Sequence, residues 1–252
     1  MIAPSMLMRV PLLLLSVALL LIGTVRAEDP LKQSSQLLVV TTPNWDAVGG
    51  TLQRYQRPTT RDPWQPVGAP ISITVGHTGL AWGLGIVPTP PHAAADPVKH
   101  EGDGRSPAGI FELGTAFGTA DKPLPGLKLP YLPLTPTIEC VDDSTSSYYN
   151  SLVDRAKVAP DWHSSEKMRD EMPYYQWGLV ILHNSSNVTA QAGSCIFLHI
   201  WGHPGQGTVG CTSMARPDLE DVMPWIDPRL HPLLVQMPAA EYKRLHKAWR
   251  LP

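Results

Sequence analysis

The sequence predicts one mainly β domain with a few short helices. Short segments rich in β-branched residues are separated by Gly and Pro along most of the chain, which is the pattern of strands and turns. The 27 prolines among 252 residues are about twice the usual proline content, and they disfavour long helices. A hydrophobic content of 43% suits a packed globular core.

The first half of the chain predicts an antiparallel β meander. Residues 36–42 are rich in β-branched side chains and end before Pro43, as a strand does. Three further strand candidates, residues 50–56, 71–75 and 80–86, are each bounded by Gly or Pro. Because they follow one another closely with turn residues between them, we expect neighbouring strands to pair.

The second half alternates strands with short helices. An exposed loop is predicted over the Pro-rich residues 88–97, and an alternating strand around residues 110–113. Charges of both signs alternate in residues 164–172, which favours a helix. The later elements are predicted as strands over 174–183 and 194–201, a helix over 217–225 that begins with Pro217 and acidic residues, a strand over 232–237 and a final helical segment over 241–249.

The amino-terminal residues 1–27 have the pattern of a secretory signal peptide. Arg9 precedes an apolar run, and the segment ends in Val-Arg-Ala before Glu28. The apolar run is shorter than the ~20 residues of a membrane span. We therefore expect an exported protein of the periplasm or cell envelope, with no integral membrane span and with residues 28–252 as its single domain.

The charge of the mature chain argues against a nucleic-acid partner. Without the two arginines of the signal peptide, 18 basic and 22 acidic residues remain, a formal charge of −4. A phosphate backbone is bound by a basic face, which this composition does not favour.

Residues 193–214 carry the strongest chemical signal. An apolar strand leads to His199, a glycine-rich loop follows, and Cys211 comes directly after Gly210. A thiolate attacks carbonyl groups, an imidazole takes its proton, and backbone N–H groups in a glycine turn stabilise an oxyanion. The pattern predicts Cys211 as nucleophile, His199 as general base, and backbone N–H groups of the glycine turn as oxyanion donors.

Spacing alone leaves two alternatives open for these residues. In the first, His199 is a hydrogen-bonded core residue and Cys211 a small buried hydrophobic one. In the second, His199, His203 and Cys211 bind zinc, although Pro204 after His203 makes the ligand spacing irregular.

The segment resembles the catalytic motif of the L,D-transpeptidases of the YkuD type. Leu198-His199 and the tetrapeptide Thr-Val-Gly-Cys ending at Cys211 match the family's strand-end histidine and its Ser/Thr-x-Gly-Cys motif. Residues 102–111 resemble the family signature Gly-Asp-x-x-Thr-Pro-x-Gly-x-Phe, and residues 193–199 resemble Gly-Ser-x-Ile-x-x-His. The three matches occur in the family's order and span most of the mature chain.

The resemblance implies a catalytic β-sandwich domain that acts in peptidoglycan and cell-wall biogenesis, and hence on cell shape. The resemblance implies that Cys211 attacks the carbonyl at the L-centre of the diamino acid in a tetrapeptide stem and releases D-alanine, while the N–H groups of Gly210 and Cys211 hold the oxyanion. The acyl group then passes to an amine of another stem or of a lipoprotein, or to water. The resemblance implies no metal or other cofactor. A peptidoglycan-binding module that keeps the fold without activity is the alternative from another functional class.

Several positions depart from the family pattern. Val209 replaces a common second histidine, Ser213 stands where many members have arginine, and Ile200 follows the base histidine in place of glycine. Arg105 and Arg216 are therefore candidates to supply the missing charge to the substrate. Trp201 is a candidate wall of the donor site, and the Ile200 carbonyl is a candidate to orient the imidazole.

Three cysteines in an oxidising compartment leave at least one outside any internal disulfide. Since the resemblance makes Cys211 a free thiol, Cys140 and Cys195 form the internal pair compatible with activity. The alternative is that both are buried and reduced.

Overall fold

A computed structural model describes residues 31–252 of the chain. The predicted signal peptide, residues 1–27, lies outside the described residues. Within the described part the chain forms thirteen strands and two α-helices, which confirms the mainly β prediction. No helix in residues 31–252 is long and apolar enough to cross a membrane.

Strands dominate the described chain, and its helices lie in the second half of the sequence. The strands are β1 (Gln36–Thr42), β2 (Gly49–Gln56), β3 (Gln65–Thr74), β4 (Leu80–Trp82), β5 (Ser106–Gly118), β6 (Tyr131–Pro133), β7 (Ile138–Cys140), β8 (Leu152–Asp154), β9 (Glu166–Lys167), β10 (Trp177–Ile181), β11 (Phe197–Ile200), β12 (Thr212–Met214) and β13 (Leu233–Pro238). The helices are α1 (Arg216–Trp225) and α2 (Ala239–Trp249), and three short 3-10 helices are Arg155–Lys157, Tyr174–Gln176 and Pro228–Leu230.

Eight strands form a sheet that closes on itself. They lie in the order β10-β11-β12-β3-β2-β1-β13-β5, and β5 pairs back with β10. The pairs β1–β13 and β11–β12 are parallel and the other pairs of this ring are antiparallel. The parallel pair β11–β12 places side by side two strands that a single loop, residues 201–211, connects.

The predicted meander is correct for β1 to β3 and ends there. Thr51 in β2 lies opposite both Thr41 in β1 and Ser72 in β3. The next segment leaves this order, because β4 pairs in parallel with β5. The chain turns at Gly79, whose φ is +93°, and a Cβ there would come within 2.0 Å of the Trp45 carbonyl oxygen.

The two helices cover the outside of the sheet. Helix α2 packs on β1 and β13, and helix α1 packs on β10 and β11. Leu219 and Val222 of α1 and Leu245 of α2 are the buried side chains of these faces. Each such burial stabilises the fold by ~1.5–3 kcal/mol. This cover explains why β1 is buried along almost its whole length, with Val39 and Val40 on opposite faces.

A second, three-stranded sheet packs against β11, with Ile138 and Phe197 in one buried cluster. Its order is β8-β7-β9. Cys140 in β7 forms a disulfide with Cys195, which precedes β11, and Cys211 is the one free cysteine of the chain. The predicted pairing is therefore present. The bond ties this small sheet to the segment that leads into β11.

The helix predicted over residues 164–172 is wrong. This stretch contains the two-residue strand β9, which pairs with β7, and Met168 is fully buried beside it. Backbone pairing with β7 and burial of Met168 outweigh the weak helical preference of a segment of nine residues.

Other boundaries also differ from the prediction. The segment 174–183 begins as a 3-10 helix and becomes a strand at Trp177, while the segment 194–201 becomes a strand at Phe197. Cys195 has a φ of +54°, which interrupts an extended chain there. Residues 88–97 contain no strand, as expected.

Loss of the disulfide is expected to destabilise the protein without unfolding it at room temperature. The double variant Cys140→Ser and Cys195→Ser removes a cross-link between residues that lie 55 positions apart, so the unfolded chain gains conformational entropy. In the chain-entropy account the cost is at most ~4 kcal/mol of unfolding free energy, measurable by urea denaturation. Alkylation of the denatured, unreduced wild type should label Cys211 alone. Three labelled thiols, or an unchanged urea midpoint, contradict the expectation.

Candidate active site

The register of β11 and β12 brings the two predicted catalytic residues to one face of the sheet. His199 lies opposite Ser213, and Leu198 lies opposite Thr212. Because side chains alternate along a strand, Cys211 and Ser213 point to the same face as His199. The loop between the strands thus returns the thiol beside the imidazole.

Hydrogen bonds to residues 75–77 hold this loop. His77 N donates to Thr208 O at 2.7 Å, and Thr208 N donates to Val75 O at 3.0 Å. Gly207 packs so closely that a Cβ would lie 2.5 Å from the His77 Cα. The glycine-rich sequence thus lets the loop approach another backbone, which fixes where Cys211 emerges.

Cys211 is 2% exposed, and its sulfur lies among polar partners. Phe197 N donates to Sγ at 3.2 Å, and Sγ lies 3.5 Å from the Cys195 carbonyl oxygen, to which it donates. Burial, with the nearby Glu166 charge, raises the pKa of the Cys211 thiol well above its usual range. The Phe197 N–H and the Tyr175 hydroxyl oppose that rise. The resting cysteine is therefore a thiol.

His199 is held in one tautomer. Its Nδ1 lies 2.7 Å from the Ile200 carbonyl oxygen. A carbonyl only accepts, so Nδ1 donates and Nε2 keeps the lone pair of a base. The rings of Tyr174 and Tyr175 meet the imidazole edge to face, with centroids 6.4 and 5.2 Å away. Burial lowers the His199 pKa to about 4, so the imidazole is neutral near pH 7.

His199 and Cys211 both line one open cavity of about 180 Å³. Trp201, a predicted wall of the donor site, lines it as well. Val209 also lines this cavity, and 73% of the residue is exposed. The other lining residues are Glu171, Tyr174, Tyr175, Gly202, Gln206, Gly207, Thr208 and Ser213. The thiol and the base thus face a space that admits a ligand.

The segment with the second sequence signature, residues 102–111, hydrogen-bonds the backbone of Cys211. Ser106 Oγ donates to the Cys211 carbonyl oxygen at 2.7 Å, and Thr208 Oγ1 donates to the same oxygen at 2.5 Å. Ser106 also accepts from Gly76 N at 2.8 Å. The two motifs, far apart in sequence, therefore meet at the backbone of the cysteine.

One predicted oxyanion donor is already engaged. The Gly210 N–H donates to Thr208 Oγ1 at 3.1 Å, so it does not point freely into the cavity. This corrects the expectation for Gly210, because the Thr208 hydroxyl folds back over the turn. Among the two predicted donors, the N–H of Cys211 remains the candidate.

The two candidate arginines lie away from the cavity. The Arg105 guanidinium donates to the carbonyl oxygens of Trp45 and Leu80 and pairs with Asp46 at 2.7 Å. The Arg216 guanidinium pairs with Glu220 at 2.7 Å and donates to Gln176 Oε1 at 2.9 Å. Neither arginine lines the cavity of His199 and Cys211, and a role for them in substrate binding stays a prediction.

Sequence reasoning missed the residues of β9 and of the 3-10 helix Tyr174–Gln176 that lie around the thiol and the imidazole. Tyr174 and Tyr175 lie in the segment expected to be a strand, and Glu166 in the segment expected to be a helix. Glu166 accepts from the Tyr175 hydroxyl at 2.8 Å. No local pattern marks this pair, because the two residues meet only when β9 pairs with β7.

The zinc alternative finds no prepared ligand set. The ring of His203 bonds the Pro204 carbonyl oxygen in an exposed turn. Within residues 31–252 no group of three or more His, Cys, Asp or Glu side chains is arranged to hold a metal ion.

Comparisons with protein-family models, with curated proteins and with solved structures find no match to this chain.

Proposed function

We propose that this protein is an exported, cysteine-dependent peptidoglycan L,D-transpeptidase. The observation that carries the proposal is that Cys211 and a tautomerically fixed His199 face one cavity from adjacent parallel strands. The resemblance of three sequence segments to the YkuD-type family supplies the substrate class. The domain is proposed to be the family's catalytic β-sandwich, a fold that the closed eight-stranded sheet approximates.

In the proposed first step the Cys211 sulfur attacks the carbonyl at the L-centre of the diamino acid, meso-diaminopimelate in the usual stem. His199 Nε2 takes the thiol proton and delivers it to the nitrogen of the departing D-alanine. The oxyanion accepts a hydrogen bond from the Cys211 N–H. This donor is chosen over the Gly210 N–H because the latter already donates to the Thr208 hydroxyl. The products of this step are a thioester and free D-alanine.

In the second step an amine of another stem, or of a lipoprotein, attacks the thioester. His199 Nε2 accepts a proton from that amine and returns it to the sulfur, which restores the thiol. Attack by water instead gives L,D-carboxypeptidase activity. Trp201 and Val209 at the cavity are proposed to contact the stem peptide.

The deciding experiment is mass spectrometry of purified tetrapeptide muropeptides incubated with the protein. We expect loss of D-alanine, together with a joined dimer if a second stem is the acceptor. Loss of D-alanine alone indicates the carboxypeptidase reaction. Unchanged muropeptides that co-sediment with the protein instead support the silent binding module and overturn the proposal of catalysis.

A further inference from the structure

The buried strand β13 contains one polar residue, Gln236, between the apolar Val235 and Met237. Gln236 is 1% exposed. Burying an amide group costs free energy unless its oxygen and nitrogen keep hydrogen-bond partners. Here Gln236 Oε1 accepts from the Thr212 hydroxyl at 2.7 Å, and Nε2 donates to the Pro107 carbonyl oxygen at 2.8 Å. The side chain thus joins β13 to both β12 and β5.

The bond from Gln236 to Thr212 crosses the inside of the closed sheet. Three strands separate β12 from β13 in either direction around the ring of eight. The two strands therefore lie on opposite sides of the sheet, and backbone pairing does not connect them. A side-chain hydrogen bond is what fixes their relative position at this level of the core.

The two partners of Gln236 lead on to the nucleophile. Thr212 follows Cys211 in the chain, and Pro107 follows Ser106. Ser106 Oγ completes the path, because it donates to the Cys211 carbonyl oxygen at 2.7 Å. Three hydrogen bonds and two peptide links therefore form a network that closes on itself. This Gln236 network consists of Cys211, Thr212, Gln236, Pro107 and Ser106, all of them buried.

The Gln236 network holds the peptide group that joins Cys211 to Thr212. The Thr208 hydroxyl holds the turn on the other side of the cysteine, since it donates to the Cys211 carbonyl oxygen at 2.5 Å and accepts from Gly210 N at 3.1 Å. With the chain held on both sides, the Cys211 N–H and the Cα–Cβ bond that carries the sulfur each keep one direction. These are the two groups of Cys211 that the proposed acyl transfer uses.

We infer that Gln236 is a positioning residue that holds the Cys211 backbone so that its N–H meets the oxyanion while its sulfur attacks. The inference rests on the proposed function and names what sets the geometry of its nucleophile. Gln236 does not line the cavity of the thiol, so it acts through its partners and not on the substrate. A displacement of ~1 Å at a reacting group can cost ~10²-fold in rate.

Two small reagents separate the position of Cys211 from its general reactivity. With para-nitrophenyl acetate the thiol proton passes to His199 Nε2, an S–C bond forms, the ester C–O bond breaks, and nitrophenolate leaves with the electron pair. This reaction passes through an oxyanion, which the Cys211 N–H stabilises. Iodoacetamide forms an S–C bond and releases iodide without any oxyanion. Because both reactions need the thiolate, the ratio of the acetylation rate to the alkylation rate reports on the N–H and not on the thiolate fraction.

The test compares this ratio in the wild type and in Gln236→Leu, which removes both hydrogen bonds and keeps a side chain of similar size. We expect the ratio to fall about tenfold or more in the variant. Nitrophenolate absorbance and intact mass follow the reactions, and the disulfide leaves Cys211 as the free thiol. With tetrapeptide muropeptides, kcat for D-alanine release should fall while KM stays unchanged, because Gln236 does not touch the substrate.

Gln36→Leu is the matched control. Gln36 in β1 is also buried, and it makes two hydrogen bonds to backbone groups: Nε2 donates to the Trp225 carbonyl oxygen at 3.0 Å, and Oε1 accepts from Asp227 N at 2.8 Å. Neither partner lines the cavity of Cys211. This variant should lower the urea midpoint, as Gln236→Leu does, and leave the rate ratio at the wild-type value.

Gln236→Glu provides a conservative rescue that depends on pH. A protonated carboxyl group can accept from the Thr212 hydroxyl and donate to the Pro107 carbonyl, whereas a carboxylate has no proton to donate. The rate ratio of this variant should be near the wild-type value at low pH. It should fall as the pH rises through the carboxyl pKa, which burial raises. The ratios of the wild type and of Gln236→Leu should not change with pH.

The inference is overturned if Gln236→Leu keeps the wild-type ratio, which is the result of a purely structural role, or if Gln36→Leu lowers the ratio as much. If Gln236→Leu does not fold, Thr212→Val breaks the same hydrogen bond from its other end, and an unchanged ratio there overturns the inference equally. A wild type that is alkylated but not acetylated also contradicts it. Acetylation that depends on Gln236, without D-alanine release from muropeptides, overturns the proposed function alone.

Discussion

Replacing Cys211 by alanine is expected to abolish D-alanine release from tetrapeptide stems. The proposed thioester cannot form without the sulfur, and no other cysteine thiol is free, since Cys140 and Cys195 are joined. The variant should fold, with a loss of ~1–3 kcal/mol of unfolding free energy, because the Phe197 N–H loses its acceptor Sγ. Activity is measured as free D-alanine over time.

Cys211→Ser is the matched control for this loss. Its hydroxyl keeps an acceptor for the Phe197 N–H but is a much weaker nucleophile near neutral pH. We expect near wild-type stability and activity close to that of the alanine variant. Turnover by Cys211→Ala at anything near the wild-type rate removes Cys211 as nucleophile.

Replacing His199 by alanine is expected to lower the rate by ~10² to 10⁴-fold, the usual contribution of general acid–base help. Its Nε2 is the base in both proposed steps, and the Ile200 carbonyl holds the ring in the tautomer that exposes this nitrogen. The thiol pKa is raised by burial, so little thiolate forms without a base. Single-turnover release of D-alanine measures the effect.

His203→Ala provides the comparison. His203 lies in an exposed turn, bonded to the Pro204 carbonyl oxygen, and does not line the cavity of the thiol. We expect this variant to keep most of the activity. A larger loss for His203→Ala than for His199→Ala reverses the assignment of the base.

The sequence by itself determined the features that depend on local order. Turn residues and β-branched runs predicted β1 to β3, and Pro217 with its acidic neighbours predicted α1. The family resemblance, which makes Cys211 a free thiol, implied the pairing of Cys140 with Cys195, and the structure contains that disulfide. His199 and Cys211 could be chosen because one loop joins the strands that carry them, so their approach depends on a short segment.

Only the tertiary structure decided which side chains lie around His199 and Cys211. Arg105 and Arg216 were plausible from sequence, but in the structure Asp46 and backbone carbonyls bind the Arg105 guanidinium, and a carboxylate one helical turn away binds that of Arg216. Tyr175 and Glu166 had no signal, because their contact requires β9 to pair with β7. A sequence motif contains only residues that are close along the chain. Contacts between separate segments depend on how the whole chain packs, so a motif does not predict them.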